Sequence, residues 1–295
     1  MRTRFAPAPT GYLHLGHVAN ALYVWGATLS RGAEVLFRVE DHDRQRCRAV
    51  YEQALLEDLD WLGLVPDLGT TAEFRSGPSP FRQSDNSEVY AAHVELLRTY
   101  GHHVYACDCS RSTQGGAAVP EGGVTRPYDG RCRSRNLAPG PGRGLRVVIE
   151  AGDEVFEDLR LGPQVQSPAE QCGDLLLRDR LGNWTYQFAV VVDDLRQAID
   201  LVIRGEDLLD STGRQLRLAR MLGRRKMPLF LHHPLIRKPS GEKLSKASRD
   251  TSVRALRAAG KSPEDLFGQA LFALGLLPLA RPVTLDEARG LVPTS

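Results

Sequence analysis

The chain has 295 residues and a formal net charge of only +2. That length builds a large core, as one big domain or two, and the balanced charge excludes an indiscriminate polyanion binder while leaving room for a local arginine face that suits RNA. No apolar run reaches the length of a membrane span, the N-terminus enters a strand without the apolar stretch of a signal peptide, and five cysteines, an odd number, favour a reducing cytoplasm over a disulfide framework.

The first strand signal covers residues 3–6. Pro7, Pro9 and Gly11 then forbid helix and force a turn. An apolar, helix-competent run follows over 18–29, and a second strand over 34–39. Strand, tight turn and helix present backbone N–H groups and a helix N-terminus to a phosphate. His14 and His17 lie three apart at that helix start, on one face, where donors to a nucleotide triphosphate are wanted. An amphipathic helix is expected over 46–62 and another over 85–100.

Cys107, Cys109 and Cys132 then fall in one short region, with Tyr128 among them. The stretch 111–127, rich in Gly, Pro and polar residues, cannot form a packed core alone, so a metal staple would supply what the core lacks. Residues 138–144 read as a loop and not as a domain linker. Short β runs follow at 145–150, 155–158 and 175–178, and alternating β and α patterns return over 184–222. Two helical stretches, 252–259 and 263–276, close the chain. The pattern is α/β: a parallel, Rossmann-like sheet split by an insertion at about 85–180. Residues 1–240 read as the sheet domain with its insertion, and 241–295 as a lysine loop and a short helical part. There is no internal repeat. Cys47 and Cys172 read as structural.

Lysine is scarce, five residues against 33 arginines, yet two of the five fall in Lys243-Leu-Ser-Lys-Ala247. A lysine is a compact point charge with mobile donors, suited to phosphates that change geometry during a reaction.

His14-Leu-Gly-His17 in partnership with this distant lysine pentapeptide resembles the paired signatures of class I aminoacyl-tRNA synthetases. The longer string from Arg4 to His17, with Arg38-Val-Glu-Asp-His-Asp43 after it, is similar to the glutamyl branch. The likeness runs on through the string from Tyr186 to Asp194 and the string from Val202 to Thr212. The 48 residues after Ala247 are too few for the anticodon-binding domain of a full glutamyl enzyme, so none is expected. With Ala189-Val-Val-Val-Asp-Asp194 in place of the fuller enzymes' A-N-V-V-D-D, the chain resembles the short paralogues of that branch, the glutamyl-Q tRNA(Asp) synthetases.

The resemblance implies an ATP-dependent ligase. The carboxylate of L-glutamate attacks ATP to form an adenylate without tRNA, and the glutamate then passes to the queuosine base in the anticodon stem-loop of tRNA(Asp). His14, His17, Lys243 and Lys246 would act on the phosphates, His14, His17 and Lys246 as ATP contacts, and Mg²⁺ would accompany ATP. Arg4, Arg204, Glu40 and Tyr186, with the stretch Phe5, Ala6, Pro7 and Ala8, would hold glutamate: guanidiniums for its side-chain carboxylate and Glu40 for its ammonium. Cys107, Cys109, Tyr128 and Cys132 would hold one structural Zn²⁺ per chain. Two departures stand out, Ala8 where the branch has serine and His42 between the aspartates. Three other readings remain open: a short enzyme charging a tRNA 3′ end, a small-molecule nucleotidyltransferase, and a zinc-bearing RNA-binding paralogue without catalysis.

Overall fold

The computed structural model describes residues 1–110, 127–236 and 252–294, so Lys243 and Lys246 lie outside the described residues. The described residues fall into two compact units. The first draws on Met1–Asp85, Ile199–Glu206 and Phe230–Ser295, the second on Asn86–Ala198 and Asp207–Leu229. Among the described residues, no helix is long and apolar enough to cross a membrane.

In the first unit, β1 (Arg2–Phe5) is followed by α1 (Leu15–Arg31) and β2 (Glu34–Phe37). The strands pair in parallel, Arg2 opposite Glu34 through Phe5 opposite Phe37. Both bury three of their four residues, as a strand covered on both faces requires. The ladder continues past the strand ends. Arg38 N–H donates to Phe5 O at 3.0 Å and Glu40 N–H to Pro7 O at 3.1 Å. α1 starts three residues earlier than its apolar run implies, because His14 caps it. It ends at Gly32, whose φ of 59° is the left-handed conformation that closes a helix and that glycine adopts without strain. Leu22 and Val24 on α1 are fully buried, each worth about 1.5–3 kcal/mol.

α2 (Ala49–Leu62) and the short α3 (Thr71–Ser76) follow. The later strand β8 (Leu201–Gly205) joins the same unit through Asp200 N–H to Arg2 O at 2.8 Å, and β9 (Leu229–His233) lies next to β8. Helices α8 (Val253–Ala258), α9 (Pro263–Ala273) and α10 (Leu285–Leu291) complete it, and α9 and α10 both pack on α1.

The second unit opens with α4 (Ser87–Thr99). β3 (Val104–Cys107), β4 (Gly144–Val147) and β7 (Leu175–Arg178) form an antiparallel sheet with β4 in the middle. β5 (Glu154–Asp158) and β6 (Gly162–Gln166) make a hairpin, α5 (Pro168–Cys172) leads into β7, and α6 (Tyr186–Arg196) and α7 (Thr212–Met221) follow. Tyr90, Leu97, Leu177, Trp184 and Phe188 fill the core. The buried Asp193 carboxylate accepts from the Tyr90 hydroxyl at 3.0 Å and pairs with Arg196 at 2.8 Å, which answers its desolvation.

One buried acid in the first unit has no such answer. Asp58 on α2 is 3% exposed, and among the described residues its Oδ2 has no hydrogen-bond partner. Burial pushes its carboxyl up to about 7, against the pull of Arg257 and Arg254. A carboxyl raised in the folded state contributes its full stability below its unfolded value and loses it as pH rises through the folded value. The stability of Asp58→Asn relative to the native protein should therefore climb between pH 3.8 and about 7 and level off above. Urea unfolding midpoints across that range check this; parallel curves for the two proteins would refute it.

Candidate functional sites in the two units

The turn between β1 and α1 is built by its prolines and by Thr10 N–H donating to Ala8 O at 2.8 Å. His14, in extended conformation, ends the turn and caps the helix. Its Nδ1 accepts from Gly16 N–H at 3.1 Å, while His17 Nδ1 accepts from His14 N–H at 3.2 Å. This is a capping box made of two histidines, with ring centroids 4.0 Å apart. The chemistry follows from which nitrogen accepts. Each ring must be neutral and must carry its proton on Nε2, so each presents one N–H donor away from the helix backbone.

The chain on either side of 237–251 is tied to this helix. Val253 N–H donates to Leu13 O at 2.8 Å, and Ser252 bridges His14. On the other side, His233 stacks on Tyr23 at 4.9 Å and accepts from Asn20 at 3.0 Å.

Beyond the ladder extension, Glu40 is 6% exposed and pairs through Oε1 with the fully buried Arg38 at 2.9 Å. Arg4, also buried, donates to Ile203 O at 3.1 Å, beside Arg204. Arg204 on β8 donates from Nε to Nε2 of the buried His232 on β9 at 3.0 Å. His232 accepts there, so its proton is on Nδ1, and the guanidinium is held in one orientation over Phe230 at 5.6 Å. Asp41 accepts from Ser84 N–H at 2.7 Å and from Arg44 at 2.6 Å, and His42 meets Gln83 at 2.8 Å.

In the second unit, three sulfurs and a phenol converge. Tyr128 Oη lies 3.5 Å from Cys107 Sγ and 3.7 Å from Cys109 Sγ, and Cys109 Sγ is 3.5 Å from Cys132 Sγ. A tetrahedron with metal–sulfur bonds near 2.3 Å and metal–oxygen bonds near 2.0 Å has edges of about 3.5–3.8 Å. The three spacings match such edges, and the three cysteine sulfurs, all within 4.8 Å of one another, form a group that could hold a metal ion. Gly173 makes the approach possible: its φ is 64°, and a Cβ there would stand 2.0 Å from the Tyr128 carbonyl oxygen. Burial and the neighbouring thiols raise Cys109 to about 11. Burial and the three thiols push the Tyr128 phenol far above its ordinary range. Burial opposes ionisation of Cys107 too, but the Tyr128 hydroxyl, the Cys109 N–H and the charge of Arg146 outweigh it. Four such ligands ionise together only around a cation.

The family model of class I tRNA synthetases (E and Q), catalytic domain, matches residues 1–280. The chain belongs to this family. A protein of Nitratidesulfovibrio vulgaris named glutamyl-Q tRNA(Asp) synthetase is 38% identical over 100% of this chain and 93% of its own length. One of the same name from Symbiobacterium thermophilum is 37% identical over 96% of the chain and 90% of its length. Among solved structures, the glutamate-tRNA synthetase of Elizabethkingia anophelis superimposes with a TM-score of 0.78 at 27% identity, and this chain covers 66% of it.

The first unit contains Arg4, the stretch Phe5 to Ala8, His14, His17, Glu40 and Arg204, with Arg4 bonded to Ile203 O beside Arg204 and Glu40 bonded to Pro7. Tyr186 opens α6 in the second unit. Sequence reasoning met Arg38 only as part of a motif, with no role, and passed over His232, Asn20 and His233. Two histidines ending an apolar run, Leu229-Phe-Leu-His-His233, were the available signal for the last pair. It also passed over Arg146 and Asp174 beside the cysteines.

The capping role of His14 separates from any role of its imidazole. His14→Ala should cost roughly 1 kcal/mol of stability, and His14→Asn, whose side chain also caps, should restore it. Thermal unfolding of the three proteins measures this; an asparagine variant as unstable as the alanine one would show that the cap does not hold the turn.

Proposed function

We propose that the chain activates L-glutamate with ATP to glutamyl-adenylate without tRNA, and transfers the glutamate to the queuosine base in the anticodon stem-loop of tRNA(Asp). The observation that carries this is the nearly full-length match to proteins named glutamyl-Q tRNA(Asp) synthetase, 93% and 90% of their lengths.

In this reading, the Nε2–H donors of His14 and His17 meet the ATP phosphates at the N-terminus of α1, where the helix dipole also favours negative charge. Lys243 and Lys246 join them as the pyrophosphate leaves, with Mg²⁺ bound to the nucleotide. Arg4 and Arg204 pair with the side-chain carboxylate of glutamate, and the anchored Arg204 loses little freedom on binding it. Glu40 meets the ammonium, the backbone from Phe5 to Ala8 lines the approach, and Tyr186 is assigned as a further glutamate contact. The carboxylate left over is the nucleophile, so activation needs no general base; it needs orientation and charge stabilisation on the phosphates. Transfer needs the RNA hydroxyl at the same carbonyl, with arginines on its phosphates and stacking on its unpaired bases. The substrates place the enzyme in the cytoplasm.

We assign Cys107, Cys109, Tyr128 and Cys132 to one structural zinc. Three thiolates favour zinc over harder cations, and a closed set of four protein ligands is the structural arrangement. These residues lie within the insertion we read at about 85–180. The second compact unit begins near the start of that insertion, at Asn86, but runs on past 180 to Ala198 and again over Asp207–Leu229.

Glutamate-dependent ATP–pyrophosphate exchange should proceed without RNA. Arg204→Ala should reduce it roughly 10- to 100-fold, the loss of a charge-assisted bond worth about 1.5–3 kcal/mol. Near-native exchange in that variant would remove Arg204 from the glutamate site. Lys246→Ala should lower the exchange rate with little change in glutamate binding.

A queuosine-bearing anticodon stem-loop should accept glutamate about as well as whole tRNA(Asp), with transfer weakening as salt rises. An unmodified loop should accept none. Glutamate on the 3′ end of tRNA(Glu), regardless of queuosine, would replace this reading with that of a glutamate–tRNA ligase.

A further inference from the structure

One buried charge in the second unit has no conventional partner. Arg146 on β4 is 4% exposed. Its Nη1 donates to the Asp174 carbonyl oxygen at 2.7 Å, and its Nε has no hydrogen-bond partner. The Asp174 carboxylate is engaged elsewhere. Arg133 forks onto it at 2.6 Å on each oxygen, and the Tyr105 hydroxyl and the Ile149 N–H also donate to it. Among the described residues, no carboxylate forms an ion pair with Arg146. A cation held this way is costly unless an anion lies against it.

The group against it is the ligand cluster. The Arg146 guanidinium carbon sits 3.8 Å from the centre of the Tyr128 ring. Three thiolates and a phenolate carry more negative charge than one divalent ion cancels, so the centre needs further positive charge on its flanks. Arg135 provides some from the solvent side: its Nη1 is 3.5 Å from Cys132 Sγ, and its side chain is 46% exposed and forked onto Asp108. Arg146 provides it from the buried side, against both the Cys107 thiol and the face of the Tyr128 ring. A cation over an aromatic face is attracted to the ring, and more strongly once the ring bears a negative oxygen.

We infer that Arg146 is a positioning residue of the metal centre. It fixes the Tyr128 ring in its ligating orientation and supplies the buried part of the compensating charge. The inference rests on the zinc reading proposed above.

The test uses the full chain and reads metal, not activity. Zinc content and zinc affinity, by competition with a chromophoric chelator, are measured for the native protein, R146Q and R146K, each with Tyr128 intact and with Y128C. The native protein should hold one zinc, and R146Q should bind it 10- to 100-fold more weakly. R146K, which keeps the charge and loses the planar stack, should fall between. With Y128C the ring is gone but the centre keeps its negative charge and Cys107, so R146Q should still weaken binding, while R146K, with no ring left to stack on, should bind zinc as tightly as the protein that keeps Arg146. Cobalt(II) loaded into R146Q should show shifted visible bands relative to the native protein. Unchanged affinity in R146Q, or an R146K deficit that is equal with and without the Tyr128 ring, would overturn the inference while the zinc assignment stood. A native protein that takes up no zinc would overturn the zinc assignment itself, and the inference with it. If R146Q does not fold, R146K in the two backgrounds decides the same comparison.

Discussion

The first unit depends on a parallel ladder that outlasts its strands. After β1 and β2 end, Arg38 still bonds to Phe5 and Glu40 still bonds to Pro7. Those two bonds bring the turn that precedes α1 alongside the Arg38–Glu40 segment. Proline carries no N–H, so Pro7 can join the ladder only as an acceptor, and it does. Residues far apart in the chain thereby come under one constraint: the turn from Phe5 to Ala8, the capped helix start at His14, and the buried Arg38–Glu40 pair. Asp200, just before β8, extends the arrangement by bonding to Arg2, and Arg4 reaches the Ile203 carbonyl beside Arg204.

Buried charge recurs as a means of fixing direction. Arg38 and Glu40 are both desolvated, and such a pair contributes little net stability against well-packed apolar residues. What it does is hold the Glu40 carboxylate in place. Arg204 is fixed in a different way, by a neutral histidine that accepts from its Nε. A neutral partner orients the guanidinium without cancelling its charge, which a carboxylate in the same place would do. For a group proposed to meet the carboxylate of glutamate, that distinction matters more than the strength of the bond.

The histidine cap shows one pair of side chains meeting a structural and a chemical demand together. A helix N-terminus leaves backbone donors that need acceptors. Serine or aspartate would satisfy them and stop there. Histidine satisfies them through Nδ1 and, because it is neutral when it does so, carries its N–H on Nε2. The second unit applies a similar economy to the cysteines, whose sulfurs, together with Tyr128, bury themselves in a small core with Tyr105 at spacings that match tetrahedron edges.

Much of this was legible in the residues. The Pro–Gly turn, the apolar run after it and the amphipathic α2 and α4 are local features, set by φ restriction and by periodicity. The family could be read for the same reason, since long strings such as Arg4 to His17 are contiguous. β3, β6 and β9 were not read; like every strand here they are four or five residues long, and which of such short runs pair depends on neighbours brought together by the fold. The partners of the proposed site residues were hidden for a related reason. Nothing near Arg204 in sequence points to His232, and nothing near Tyr128 points to Arg146. The sequence by itself determined which groups are available and where the chain must turn. Tertiary structure decided which nitrogen of each histidine keeps its proton, which arginine faces a carboxylate and which faces a ring, because those outcomes depend on contacts between segments that only the folded sheets bring together.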